Sequence, residues 1–167
     1  MEPSATDRTK HQTSHEFYKK LIKLTLAGGV AFWIVDFAIS LSPISAEYMA
    51  AFSISSLPLA LVEALVGGLI IACFVSYFLL RFFDKIPTNN PILKSVILSF
   101  IAFVIAMILL EAPASFRTSD ALYYLLIGVI FNVPRFLFVG IVIGYLYKKL
   151  YKGSNPIMVA SKSAQVE

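Results

Sequence analysis

Apolar residues gather along the chain into four long runs, at 21–42, 58–83, 91–111 and 122–147, with polar residues crowded into the ends and the short stretches between them. A hydrocarbon core takes roughly 20 mostly apolar residues in helical form, and each run meets that length. Lipid offers the backbone no hydrogen-bonding partner, so such runs settle as helices that satisfy their own amides. The pattern predicts an all-α integral membrane protein, with four transmembrane helices in an antiparallel bundle. Residues 17–152 make up the membrane domain. The polar segments 1–16 and 153–167 read as mobile cytoplasmic tails.

Local signals place the ends of these elements. Thr13 with Glu16 has the spacing of a capping box, which starts the first helix near Ser14. Lys19, Lys20 and Lys23 ahead of an apolar run resemble a secretion signal, but the run is too long and the polar segment before it too extended, so a retained helix is expected. The turn DKIPTNNP is short, with Asn90 suited to cap a helix and Pro91 to its first position. The second and third helices are therefore expected to form the firmest packing contact in the chain. In the longer connection ISAEYMAAFSISSL, Ile44, Tyr48 and Phe52 recur every four residues. Either a short interfacial helix or a plain connector fits that spacing.

Composition agrees with the pattern: 58% of residues are hydrophobic and 14% charged, where soluble domains carry about 25% charged residues. The formal charge of +4 is unevenly spread. Arg8, Lys10, Lys19 and Lys20 precede the first run and Lys23 lies at its very start, Arg81, Lys85 and Lys94 flank the second connection, and Lys148, Lys149, Lys152 and Lys162 follow the fourth; the other connections hold Arg117 alone. By the positive-inside rule both termini are cytoplasmic, and the protein is assigned to the cell membrane. Because the basic residues track the span ends, they imply the lipid bilayer as partner and no nucleic acid. Trp33 lies too deep for an interfacial belt and reads as a packing or lipid-facing ring.

The second run carries Ala60, Ala64, Gly68, Ala72 and Ser76 at strict four-residue spacing. Shorter strips occur at Ser95, Ser99, Ala102 and Ala106 and at Gly140 and Gly144. Small residues let helix backbones approach closely in lipid, and the same physics serves packing within one bundle or between copies.

Within the runs, a few polar residues stand out. Asp36 lies thirteen residues after Lys23 and Arg135 thirteen before Lys148, so both sit roughly 20 Å from the cytoplasmic lysines at helical rise. Either charge alone costs about 2.5–3.5 kcal/mol on insertion scales. An ion pair between the first and fourth helices removes most of that cost, with Asn132, three residues before Arg135, on the same face. Pro134 frees the carbonyl of Ile130 for a neighbouring donor. Glu63 lies about 7 to 8 Å below the outer boundary; it pairs with Arg135, snorkels outward or keeps its proton. Glu111 and Arg117 read as solvated residues near the outer surface.

Catalytic patterns are missing. No histidine falls in any run and only one aspartate, Asp36, lies well inside one, so histidine-based hydrolysis, zinc chemistry and a paired-aspartate site lack their groups. His11 and His15 have helical ligand spacing but no third ligand beside them, and Cys73 is the single cysteine. No cofactor, metal or catalytic residue is expected. Two functions remain in view. The first is a non-enzymatic membrane component that self-associates as a homo-oligomer or binds another membrane protein. The alternative is a small transporter or ion or proton pathway using Asp36 or Glu63 with Arg135.

Overall fold

The structure is a computed structural model that describes residues 5–53 and 56–151, with side chains from His15 onward except those of Asp84 and Tyr151. The segment 153–167 expected as a tail, with Lys152, and the first four residues lie outside the described residues. Among the described residues the fold is all-helical. Four helical segments are long and apolar enough to cross a membrane: His15–Ser40, Leu57–Phe82, Pro91–Ser115 and Ala121–Leu150. Their outward faces are largely apolar, as with Ile22, Leu26 and Val30 or Leu59, Val62 and Val66. Water does not tolerate so continuous an apolar surface, and hydrocarbon does.

Helix α1, Ala5–Ser40, begins at Ala5 rather than near Ser14. At 36 residues it is about 54 Å long, so it extends past any hydrocarbon core. Ser42 then caps α2, Pro43–Ala51, accepting the Ser45 amide at 3.3 Å, with Pro43 in the first turn. The four-residue recurrence in this connection therefore marks a real helix. Helix α3, Leu57–Phe82, leads through a 3-10 turn, Phe83–Lys85, to α4, Pro91–Ala106, whose Ile92 amide is capped by the Asn90 side chain at 3.0 Å.

The third span does not continue as a regular helix. Pro113 has no amide to donate and its ring would meet the carbonyl four residues earlier. The backbone widens just ahead of it into a π-helical turn, Met107–Glu111, in which the Ala112 amide donates to the Met107 carbonyl. A short α5, Ala112–Ser115, follows, and α6, Ala121–Tyr151, completes the fold with Pro134 in its interior.

Helix packing departs from the expectation drawn from the short turn. Helix α1 lies most extensively against α3, and α4 against α6; α1 also packs on α6, while α3 and α4 touch less than any of these pairs. The small residues explain why. The α3 strip turns toward α1: a Cβ on Gly68 would sit 2.9 Å from Phe32, and one on Gly28 would sit 2.8 Å from the Cβ of Ala72. On α6, Cβ atoms at Gly140 and Gly144 would come within 2.8 Å of Val96 Cα and 2.5 Å of Ile92 Cα. Ser99 adds a hydrogen bond from its Oγ to the Phe136 carbonyl, tying α4 to α6. Phe136 is the hub of the core, with its ring edge-on to Phe32 at 5.9 Å and 5.4 Å from Phe103. At the other end Lys94 is buried; its ammonium donates to the Phe83 carbonyl at the end of α3 and lies 3.7 Å over the Phe83 ring. A lysine at that place satisfies a carbonyl that the helix end leaves open.

Close approach at Gly144 makes a specific demand. Gly144→Val should lower stability by about 1–3 kcal/mol through overpacking. Gly67→Ala should be tolerated, because a Cβ there meets nothing within 4 Å. Thermal unfolding of the two variants in detergent checks both outcomes.

Candidate functional site

Four elements bring their polar side chains to one place. Asp36, on the last turn but one of α1, accepts from Arg135 of α6 with Oδ1 and Nη2 2.5 Å apart. Arg135 Nη1 donates to Asn132 Oδ1 at 3.1 Å, one turn earlier on the same helix. Asn132 then uses its other end, Nδ2 donating to Glu111 Oε1 at 2.9 Å. The second oxygen of Glu111 accepts from the Tyr48 hydroxyl at 2.8 Å. The chain Asp36, Arg135, Asn132, Glu111, Tyr48 thus links α1, α6, the π turn and α2 by continuous hydrogen bonding.

Each position has a local cause. Arg135 and Asn132 share a face because residues three apart on a helix do. Asp36 is 8% exposed, and Ser40 donates its hydroxyl to the Asp36 carbonyl at 2.7 Å. The Arg135 guanidinium lies 5.8 Å from the Phe32 ring and 6.0 Å from the Phe131 ring, while its Nε is buried without a hydrogen-bond partner. Aromatic faces favour a cation at such distances. Among the described residues no side chain donates to the Ile130 carbonyl that Pro134 frees; the Ser99 hydroxyl goes to the Phe136 carbonyl.

Glu111 and Tyr48 were not legible as partners. Glu111 is half-buried and twice hydrogen-bonded, not solvated, whereas Arg117 is exposed. The π turn supplies the reason: Ile108, Leu109 and Leu110 stay 64–69% exposed on the outside while Glu111 points in. Pro113, two residues on, was the available signal. Tyr48 rides on α2, and its ring contacts with Phe131 at 5.6 Å and Tyr124 at 6.4 Å hold α2 against the N-terminal part of α6. Burial, and after it the Glu111 carboxylate, push the Tyr48 phenol above its ordinary pKa. The hydroxyl therefore remains a donor, and any stability this raised pKa brings is fully present below the ordinary phenol range and lost only above it.

These groups line a cavity of about 280 Å³ instead of being sealed in packed side chains. Glu63 stands on its α3 wall; it is exposed and, among the described residues, forms no hydrogen bond or ion pair. Arg135 is thus joined to Asp36 and not to Glu63. Ala60 and Ala64 of the α3 strip also face the cavity, while Gly68, Ala72 and Ser76 are buried in the bundle. Trp33 lies outside the cavity lining, donating to the Leu61 carbonyl at 3.1 Å and so joining α1 to α3.

The chain matches no known protein family, no curated protein and no solved structure.

Because Glu111 holds two donors, its loss should propagate. Glu111→Ala should cost about 1–3 kcal/mol by leaving the Asn132 amide unsatisfied, and Tyr48→Phe about 1 kcal/mol. In the Glu111→Ala background, Tyr48→Phe should add almost nothing, since its acceptor is already gone. Unfolding of the single and double variants measures that coupling.

Proposed function

We propose that this protein is a multi-pass cell-membrane protein with antiparallel spans and cytoplasmic termini that acts, without catalysing a reaction, as a small transporter or ion pathway through the polar cavity. The distribution of lysine and arginine supports the orientation. The observation that carries the function is that the ion pair and its hydrogen-bonded partners border open space. A pair whose whole purpose is to fix helix register is best served by complete packing, and this one keeps about 280 Å³ beside it.

Roles divide by partnership. Asp36 is committed to Arg135, which makes it the fixed element of the site. Glu63 has no described partner and is the carboxylate free to take up a proton or another cation. Ionisable groups inside spans commonly mark such pathways. Assembly with a second copy or another membrane protein finds less support, because the strips at Gly68 and Ala72 and at Gly140 and Gly144 already meet neighbouring helices of the same chain.

Reconstituted vesicles test the reading. Flux of protons, sodium or an organic cation above that of empty vesicles is expected, falling about tenfold in Glu63→Gln, a loss equivalent to about 1.4 kcal/mol, with thermal stability unchanged. No flux for any of these cations, or flux indifferent to both Glu63→Gln and Asp36→Asn, would overturn it.

A further inference from the structure

We infer that the cavity receives the ammonium head of an amphipathic organic cation, which enters sideways from the membrane between α3 and the π turn. This rests on the cavity being the working site, and adds the class of ligand and its route.

Charge selects the sign. Three carboxylates, of Asp36, Glu63 and Glu111, face the cavity against one guanidinium, a formal excess of two negative charges. Arg135 is already engaged by Asp36 and Asn132, so little of its charge is left to hold an anion. The walls select the kind of cation. Phe32, Phe131 and Phe136 line the same space, and two of these rings already flank the guanidinium. Aromatic faces hold alkylated ammonium groups, which are weakly hydrated and gain more from ring contact than a strongly hydrated metal ion does.

Access selects the tail. Helix α3 makes no substantial contact with Met107–Glu111 or α5, and cavity-lining residues stand on both sides of that gap, Glu63 and Gly67 on α3 and Leu110 on the π turn. The residues next to these lining positions along α3 are apolar and outward-facing, with Leu59 48%, Val62 59% and Val66 53% exposed, and Leu110 on the π turn is 69% exposed. An opening so bordered gives onto lipid tails. Glu63 stands in it about 7 to 8 Å below the outer boundary by helical rise, near the depth at which an amphiphile carries its head. A volume of about 280 Å³ is at the small end for ligand sites, so the head is enclosed and the tail stays between the helices or in lipid.

The full chain in nanodiscs of digalactosyl diacylglycerol, a lipid with neither charge nor ammonium, allows a direct test with radiolabelled decyltrimethylammonium and empty discs as the blank. Saturable one-to-one binding is expected, about tenfold weaker in Glu63→Gln and largely kept in Glu63→Asp. Glu63 is exposed and without a described partner, so these variants should fold. Tetramethylammonium should bind at least tenfold more weakly for want of a tail, and decyl sulfate should not saturate. Uptake equal to empty discs, equal affinity in wild type and Glu63→Gln, or saturable decyl sulfate binding would each overturn the inference. Phosphatidylcholine added to the discs separates the sources of the head: competition identifies a lipid headgroup, and its absence a free amphiphile. Saturable binding without vesicle flux would sink the transport reading and leave this one standing. Carboxylate-dependent proton or sodium flux with no decyltrimethylammonium binding would do the reverse.

Discussion

A charge placed in hydrocarbon must find an opposite charge, and the pairing of Asp36 with Arg135 is the constraint on which the rest of this structure depends. It requires α1 and α6 to meet at one height and one rotation, which fixes the neighbours available to each. With Arg135 so held, Asn132 is oriented with its oxygen toward the guanidinium, and its amide nitrogen is left to donate to Glu111. Glu111 in turn anchors Tyr48 and with it α2. One ion pair thereby organises four elements, each link satisfying a group the previous link leaves open. In a low-dielectric setting such networks are strong when complete and costly when broken.

Close packing supplies the other half of the design. Glycines let α6 approach α4, and the Gly68 and Ala72 face lets α3 approach α1, which commits each of those faces to a partner. The two pairs join through α1 and α6. What remains is the looser α3 and α4 side, and it is there, toward Glu63 and the π turn, that the cavity lies. The same small-residue patterning that compacts the bundle thus decides where it stays open.

Much of this was legible in the sequence, for physical reasons that also mark where reading stops. Four spans follow from run length and composition, and Asp36 and Arg135 can be set at one height by counting helical rise from the flanking lysines. Counting assumes a regular helix, and that assumption fails at Met107–Glu111, where one π turn redirects Glu111 inward. Tyr48 was out of reach because its position depends on how α2 folds back over α6, a tertiary matter that periodicity within nine residues cannot specify. The expected primacy of the α3 and α4 contact came from chain proximity. Shape complementarity between small faces outweighed it, since in lipid there is no hydrophobic drive to bring sequence neighbours together and packing alone decides.

The central claim is that Asp36 and Arg135 stabilise the fold as a pair and not as two separate polar groups. Thermal unfolding of Asp36→Asn, Arg135→Gln and the double variant in one detergent measures it most directly. Each single change should cost about 3–5 kcal/mol by stranding the opposite charge, and the double variant should recover much of that loss. Losses that simply add, or single variants as stable as the wild type, would contradict the account.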